Sequence, residues 1–377
     1  MSIIRLSTLK SAVHAPTEQG SFDHDAYSGR TRTGRLEEFP ETDFATPLRA
    51  RSPLRLHLTR AVTERAAKLP AAAPVAVLVH GFLFDPKMGL GAHPRDTDNP
   101  HGRNFHFRGD LGSAEEIREH TTSWPLGLAF AEEDEGESGL AVAFGWQSQP
   151  GFASSLLRHF ENFYSRAYQY AGETSHALVR TLQVLAEVLP GRRIDLFCHS
   201  LGSRVVVRAL ALAAKHDPAL VGRVGRVLIL GGAEYVVEAQ LMASRLHALP
   251  APPTIYNIVS RENDVLDKLG ENFGPRTFGN SQVIGHNGLD RESAQGPWID
   301  LQIDRRELGT WLEKQHGVRI SGDQPDSIWD HWYYYTYPGN MDLYRRILRD
   351  RDTWEIGKLR KAGIPEGVPR RWWDFGD

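Results

Sequence analysis

The chain has 377 residues, of which 41% are hydrophobic and 24% charged, and its formal net charge is −3. Its 35 glycines and 22 prolines are only a modest excess, which excludes collagen-like and low-complexity classes. The 44 basic residues are balanced by 47 acidic ones, so the charge does not indicate a nucleic-acid partner. The single cysteine excludes an internal disulfide framework and fits a reducing compartment.

Targeting and membrane signals are weak in this sequence. Residues 1–15 lack an apolar core and a small-residue cleavage site, so we predict no signal peptide. The longest apolar run, Leu69–Val79, is interrupted by prolines and is too short to be a membrane span. We therefore expect a cytoplasmic protein without a transmembrane segment. The sequence does not indicate its oligomeric state.

Continuous apolar runs predict strands that are buried on both faces of a parallel sheet. These runs are Val75–Val79, Leu140–Phe144, Arg193–Phe197, Val227–Leu230 and Thr254–Val259, with a weaker one at Trp298–Ile303. Apolar residues at helical spacing lie between or after them, at Phe160–Leu189, Ser203–Lys215, Glu234–Leu249 and Met341–Arg349. The alternation predicts an α/β fold with a mostly parallel central sheet and helices on both faces.

The remaining segments define the expected domain organisation. Residues 1–73 are polar and predict an N-terminal arm with one or two edge strands. Residues 82–138 form a long insertion between two core strands, which makes them a candidate lid. We expect one domain at 74–350, followed by a C-terminal tail at 351–377.

The sharpest motif is Cys198-His199-Ser200-Leu201-Gly202, which joins a buried strand directly to a helix. It matches the G-x-S-x-G nucleophile elbow, with Cys198 in the place of the first glycine. Small flanking residues let the strand and helix pack closely while the turn strains Ser200 into an exposed position. We predict Ser200 as a nucleophile, with the Leu201 N–H facing a developing oxyanion at the helix N-terminus. The alternative for Ser200 is a structural turn serine. For Cys198 we expect a buried spacer rather than a nucleophile.

A second buried strand ends in His80-Gly81-Phe82. Gly81 lets the backbone turn there, and the Phe82 N–H is the predicted second donor of the oxyanion hole. For His80 we expect local hydrogen bonding at the strand end rather than direct catalysis.

These motifs resemble the α/β-hydrolase superfamily, in particular a bacterial branch of uncharacterised function. The resemblance is carried by Val77–Phe82, Phe144–Ser148, Cys198–Gly202 and Ile258–Asp264, and it covers the chain from about Pro74 to about Leu348. It departs from that branch at Cys198 and at Gln147, where the branch often has proline. The resemblance implies the α/β-hydrolase fold, with the long insertion after the oxyanion-loop strand, and chemistry without a metal or organic cofactor.

The family order of serine, acid and histidine implies that the partners of Ser200 lie downstream. Asp264, in the loop after the strand Thr254–Val259, matches the acid position and is favoured over Glu262 and Asp267. A loop aspartate that makes a turn or caps a helix is the alternative for Asp264.

Three histidines follow Asp264 in the chain. His331 lies beyond the strand Trp298–Ile303 and matches the family position of the base, so we favour it. His286 precedes that strand and is the alternative base, whereas His316 has the context of a helix end.

The reaction implied by this resemblance is acyl transfer to water through an acyl-enzyme, as in serine esterases and lipases. The expected partner is a small-molecule ester or acyl substrate. The alternatives are a non-catalytic scaffold that binds a ligand or partner, and thioesterase, peptidase or acyltransferase chemistry on the same fold.

Two further segments contain side chains that can do chemistry. Asp96–Phe107 contains aspartates and histidines, but their spacing fits neither a calcium loop nor a zinc site, so we expect a polar loop and no metal. The aromatic residues around His331 would either line an acyl pocket or pack their loop onto the core; they are Trp329, Trp332, Tyr333, Tyr334, Tyr335 and Tyr337.

Overall fold

A nine-stranded sheet, seven strands of which are parallel, organises the protein. The computed structural model describes residues 3–9, 12–16, 33–38, 51–67, 69–84, 99–106, 111–119, 121–130, 139–149, 160–261, 282–289, 294, 296–320 and 331–369. The chain has an α/β architecture, as its pattern of strands and helices predicts.

The nine strands follow the apolar runs closely. They are β1 (Ile3–Leu9), β2 (Ala12–Pro16), β3 (Thr33–Glu38), β4 (Val75–Val79), β5 (Leu140–Trp146), β6 (Ile194–His199), β7 (Val224–Leu230), β8 (Thr254–Val259) and β9 (Trp298–Gln302). Their order across the sheet is β3-β2-β1-β5-β4-β6-β7-β8-β9. All six predicted strands are confirmed, and β5, β6 and β7 extend a few residues beyond the predicted ends.

Helices lie in the connections between these strands and after β9. They are α1 (Pro53–Ala66), α2 (Pro100–Arg103), α3 (Ala114–Glu119), α4 (Trp124–Gly127), α5 (Phe160–Val188), α6 (Gly202–His216), α7 (Pro218–Val221), α8 (Val236–His247), α9 (Ile284–Asn287), α10 (Arg306–His316), α11 (Tyr333–Thr336), α12 (Pro338–Arg349) and α13 (Ile356–Lys361). The four predicted helices are confirmed as α5, α6, α8 and α12, with ends that shift by a few residues. His316 is the last residue of α10, as its context predicts.

Two apolar layers cover the sheet, because successive strand side chains point to opposite faces. In β4, Val77 and Val79 belong to the layer that α1, α5, α6 and α8 cover. Ala76 and Leu78 belong to the opposite layer, which contains residues of α4, α10, α12 and α13. Helices therefore lie on both faces of the parallel sheet.

Residues 1–73 contribute more to the core than the expected arm with one or two edge strands. They supply three strands, and β1 lies inside the sheet because it pairs with both β2 and β5. Its side chains Ile4 and Leu6 are buried in the core. In α1, Leu54 and Leu58 pack into the same layer.

The described parts of the 82–138 insertion pack against the sheet. Phe105 and the α4 residue Trp124 are buried in the second apolar layer, together with Leu128 and Phe130. The beginning of the C-terminal tail also joins that layer, through Trp354 and α13. Within the described ranges, no helix is both long and apolar enough to cross a membrane.

Candidate active site

The candidate site lies at the point in the sheet where the strand connections change direction, from one side of β4 to the other. β4 pairs with β5 on one side and with β6 on the other, so the chain leaves β4 in one direction and later returns in the opposite one. In open α/β sheets the crevice at such a reversal, beyond the carboxyl ends of the strands, is the usual place for a ligand. His80-Gly81 follows β4 at this point, and Ser200 follows β6.

Ser200 has the backbone geometry of a strained strand-to-helix turn. Its φ is +52°, in a region that residues with a Cβ rarely adopt. The Ser200 N–H donates to the Leu230 carbonyl at 2.9 Å, and the Ser200 carbonyl accepts from the Ala233 N–H at 3.1 Å. The surrounding backbone thus holds the strained conformation from both sides.

Ser200 is buried rather than exposed, which corrects the expectation drawn from the elbow motif. Its exposed fraction is 5%. Gly81 approaches so closely that a Cβ there would lie 2.8 Å from the Ser200 Cβ, and the backbone after β7 packs on the opposite side. A reactive group enclosed in this way is shielded from bulk water, which strengthens electrostatic interactions around it.

The small residues of the motif have a clear packing role. A Cβ at Gly202 would lie 2.5 Å from the His80 carbonyl oxygen and 2.7 Å from that of Val79, so the first turn of α6 touches the end of β4 directly. Cys198 is fully buried in the apolar layer that α1, α5, α6 and α8 cover, and burial raises the pKa of its thiol. The Cys198 side chain therefore has the surroundings of a buried spacer.

The loop after β4 is fixed by the imidazole of His80. Its Nε2 accepts a hydrogen bond from the Trp146 N–H at 2.8 Å, so the ring proton is on Nδ1, which lies 2.9 Å from the Gly81 carbonyl oxygen. The Trp146 indole Nε1–H donates to the His80 carbonyl at 2.7 Å. His80 orients the loop by hydrogen bonds, as expected, and burial lowers its pKa to about 3.

Ser148, two residues beyond the end of β5, holds the same loop. The Phe84 N–H donates to the Ser148 Oγ at 2.8 Å, and the Ser148 N–H donates to the Phe84 carbonyl at 2.9 Å. The Phe82 ring meanwhile packs edge-on against Tyr164 of α5. The short loop after β4 carries the candidate donor Phe82 N–H and is therefore anchored at both of its ends. Trp146 and Ser148 lie in the segment Phe144–Ser148 that carries the resemblance, but the sequence alone does not indicate this role.

The second candidate donor, the N–H of Leu201, lies at the N-terminus of α6. Leu201 is the N-cap residue of that helix, and the first N–H groups of a helix have no intrahelical acceptor. The α6 dipole adds partial positive charge at the same point. The N–H groups of Leu201 and Phe82 come from the two loops that meet at the Ser200–Gly81 contact.

His331 lies beside the elbow. Its backbone carbonyl accepts a hydrogen bond from His199 Nε2 at 3.1 Å, and the two imidazole rings have centroids 4.5 Å apart. Burial lowers the pKa of His331 to about 3, so the imidazole is neutral at pH 7. The structure thus brings the predicted base next to the residue that precedes Ser200.

The alternative base, His286, belongs to the short helix α9 at the ends of β7 and β8. The neighbouring Gly285 donates its N–H to the Gly232 carbonyl and accepts from the Ser260 N–H. His286 is therefore near the same edge of the sheet, but the described hydrogen bond and ring contact to His199 belong to His331. Asp264, Glu262 and Asp267 lie outside the described residues.

The aromatic residues after His331 pack their loop onto the core. Tyr333, Tyr334 and Tyr335 are buried, and the Tyr335 ring lies 5.2 Å from that of Trp124 in α4. Gly231, which has a φ of +48°, leaves room for Tyr334, since a Cβ there would lie 2.5 Å from the ring. The packing interpretation therefore holds for these three tyrosines.

An ion pair that the sequence analysis missed lies behind the elbow. Arg204 in α6 contacts Glu234, after β7, at 3.0 Å, and both side chains are buried. The Tyr168 hydroxyl donates to Glu234 at 2.7 Å, and the Glu234 N–H donates to the Ser203 Oγ at 3.1 Å. These contacts fix the segment that holds the Ser200 carbonyl. Charged residues 30 positions apart, with no shared periodicity, give no local signal for such a pair.

The histidines considered for a metal site occupy different surroundings. His106 Nε2 lies 2.6 Å from the Thr121 carbonyl, and His101 is buried, which lowers its pKa. In the part of the chain that the structure describes, no three His, Cys, Asp or Glu side chains form a metal-binding group. Asp96 and Asp98 lie outside that part.

A comparison with protein-family models gives no match to this chain, and a comparison with curated proteins gives none either. Function must therefore be inferred from the site. The site brings together a strained serine, two loops that meet at the Ser200–Gly81 contact and a neutral histidine beside the elbow.

Proposed function

We propose that this protein is a serine hydrolase of the α/β-hydrolase fold that cleaves an ester. The observation that carries this proposal is the backbone of Ser200, which has a φ of +52° at a strand-to-helix turn beside Gly81. Strain of this kind is retained where it positions a reactive side chain. The order of the parallel strands, with the turn at the point of reversal, supports the same fold.

In the proposed mechanism, Ser200 Oγ attacks the ester carbonyl carbon while His331 accepts the hydroxyl proton. The N–H groups of Leu201 and Phe82 stabilise the negative charge that develops on the carbonyl oxygen. The tetrahedral intermediate then collapses, and His331 returns the proton to the departing alcohol. The products of this half-reaction are the free alcohol and Ser200 esterified by the acyl group.

The second half-reaction repeats these steps with water. His331 accepts a proton from the water molecule as its oxygen attacks the acyl carbon, and then returns the proton to Ser200 Oγ as the acid leaves. Asp264 is proposed to hold the imidazole in the tautomer that these transfers need and to stabilise its protonated form.

The experiment that tests this proposal is active-site labelling with a fluorophosphonate, combined with a panel of para-nitrophenyl esters of graded acyl length. We expect wild type to be labelled and to hydrolyse at least one ester, and Ser200→Ala to lose both properties. Folded wild-type protein that neither reacts with the probe nor turns over any ester would contradict the proposal. That result would favour a non-catalytic scaffold.

The identity of the general base is tested by comparing alanine variants of the candidate residues. His331→Ala and Asp264→Ala should lose most of the esterase activity, about 10⁴-fold for a triad member. His286→Ala is the matched histidine variant, because His286 lies at the same edge of the sheet. An inactive His286→Ala beside an active His331→Ala would move the role of base to His286.

A further inference from the structure

A short segment at the carboxyl ends of β7 and β8 pairs with the backbone that holds Ser200. This α9 segment, residues 282–289, consists of α9 and the residues beside it. Ala233 donates its N–H to the Ser200 carbonyl at 3.1 Å. The carbonyls of the residues on either side of Ala233 accept hydrogen bonds from the N–H groups of Ile284 and Gly285, at 3.0 and 2.8 Å. The α9 segment therefore holds both neighbours of the residue that binds the elbow.

Gly285 also packs directly against this part of the backbone. A Cβ at Gly285 would lie 2.4 Å from backbone atoms of both Gly231 and Gly232. On its other side the Gly285 carbonyl accepts a hydrogen bond from the Tyr334 hydroxyl at 3.4 Å. Tyr334 is three residues after the proposed base His331. Gly285 thus contacts the support of the nucleophile and the loop that carries the base.

A buried carboxylate anchors the α9 segment to the sheet. Asp300, in the middle of β9, is 1% exposed, and its Oδ2 accepts the Leu289 N–H at 2.9 Å. Its Oδ1 accepts from Asn257 Nδ2 at 2.7 Å and from Trp298 Nε1 at 2.9 Å. The same Asn257 Nδ2 donates to the Ile284 carbonyl at 2.8 Å. The carboxylate therefore binds one end of the segment directly and the other end through Asn257.

The charge of Asp300 is destabilising in these surroundings. Its three hydrogen-bond donors are neutral, and burial raises the pKa of the carboxyl to about 6 although each hydrogen bond lowers it. The group is therefore ionised at pH 7, and a buried charge whose partners are neutral opposes folding. Asparagine has nearly the same size, but its amide nitrogen cannot accept the Leu289 N–H while its oxygen accepts the other two donors. A carboxylate satisfies all three.

We propose that Asp300 is a positioning residue for the proposed reaction, which holds the α9 segment against the backbone behind Ser200 and so fixes the place of Ser200 relative to His331. This inference rests on the proposed esterase function and adds to it a residue outside the triad. The strained backbone of Ser200 persists only while the surrounding structure determines it. Release of the α9 segment removes part of that support.

The test removes each anchor of the α9 segment in turn. In Asp300→Asn the amide NH₂ faces the Leu289 N–H, so that end of the segment is released. We expect kcat for para-nitrophenyl acetate and the rate of fluorophosphonate labelling to fall by about tenfold to a hundredfold, with little change in KM. Asn257→Ala removes the other anchor and should give a similar loss. The double variant should lose little more than either single variant, because both act through one segment.

Asp195→Asn is the matched control. Asp195 is also a buried strand carboxylate, ion-paired with Arg351 at 2.5 Å, but it lies near the amino end of β6. Its replacement should lower the free energy of unfolding and leave the labelling rate of the folded protein unchanged. If both aspartate variants slow labelling in proportion to their loss of stability, Asp300 has only a structural role and the inference is overturned.

Amide hydrogen exchange separates this inference from the proposed reaction. In Asp300→Asn, and in Asn257→Ala should the first variant fail to fold, we expect the Ala233 and Gly285 amides to exchange about tenfold faster, while the amides of β4 keep their rates. Unchanged exchange at Ala233 would refute the positioning role and leave an active esterase in place. Faster exchange, in a protein whose wild type neither hydrolyses an ester nor reacts with the fluorophosphonate, would support Asp300 as the anchor and refute the esterase.

Discussion

His199 Nε2 donates a hydrogen bond to the backbone carbonyl of His331 across 3.1 Å, and this contact joins the elbow to the loop that carries the proposed base. The two residues are 132 positions apart in the chain. The bond is made by the residue that directly precedes Ser200, so it links the backbone of His331 to the elbow. We therefore infer that His199 positions the loop that carries the proposed base.

Replacement of His199 should misplace the base without unfolding the protein. In His199→Phe the ring packing against Tyr335 is retained, but the His331 carbonyl loses its donor. We expect kcat/KM for a para-nitrophenyl ester to fall by about tenfold to a hundredfold, since a small displacement of a catalytic group has effects of this size. His199→Gln is the control, because its amide N–H can replace Nε2–H and should restore much of the rate. Equal activity of both variants and wild type would contradict the positioning role.

A methyl group at Gly202 should be far more costly than at another helical glycine. In Gly202→Ala the new Cβ meets backbone oxygens of His80 and Val79 at 2.5 and 2.7 Å, and backbone cannot move aside as a side chain can. We expect the free energy of unfolding in urea to fall by about 1–3 kcal/mol, as for an overpacked core. Gly309→Ala in α10 is the control, since its Cβ would meet only Ile320, at 3.8 Å, and helix propensity favours alanine by about 1 kcal/mol. If both variants are equally stable, the close approach of α6 to β4 is not as described.

The fold was predictable wherever the signal was local. Six strands and four long helices show in the apolar runs and periodicities, because burial on one or two faces dictates the residue pattern within each element. β1 was missed since its short run is broken by Arg5 and Ser7, and its place inside the sheet depends on pairing with β5 more than 130 residues away. Strand pairing at that distance leaves no periodic trace in either segment.

The residues of the candidate site also fall into two groups, those that a local motif predicts and those that it does not. Ser200, Gly81 and Phe82 belong to continuous motifs whose turns require small residues, so the sequence alone suggested them. Arg204 and Glu234 meet in a contact that only the folded chain creates, and neither belongs to a motif. Their side chains resemble ordinary surface charges until the structure shows what surrounds them.

Acid should destabilise the protein through its buried histidines. Burial lowers the pKa of His80 and of His331 to about 3, below the unfolded value of about 6.5, so between these limits the unfolded chain binds more protons. Stability is therefore fully present above pH about 6.5 and is lost as the pH falls toward 3. Each histidine contributes a slope of about 1.4 kcal/mol per pH unit within this range.

The variant that checks this pH dependence is His80→Gln, whose amide oxygen can accept the Trp146 N–H without titrating. Urea unfolding measured from pH 5 to pH 8 should show, below pH about 6.5, a slope smaller by about 1.4 kcal/mol per pH unit than that of wild type, and no difference in slope above it. An unchanged slope would contradict the lowered pKa of His80.

The Arg204–Glu234 pair should show strong coupling between its two members. Arg204 lies over the Tyr168 ring, 3.5 Å from its centre, and faces Glu234 in a buried position, so removal of either charge leaves the other uncompensated. We expect Arg204→Met and Glu234→Gln each to lower the free energy of unfolding by about 3–5 kcal/mol, and the double variant to cost less than the sum. Because the Glu234 N–H binds Ser203 and the adjacent Ala233 N–H binds the Ser200 carbonyl, the single variants should also lower the rate of fluorophosphonate labelling. Unfolding energies that add simply would show that the two charges do not depend on each other, and a normal labelling rate would show that the elbow is held by other contacts.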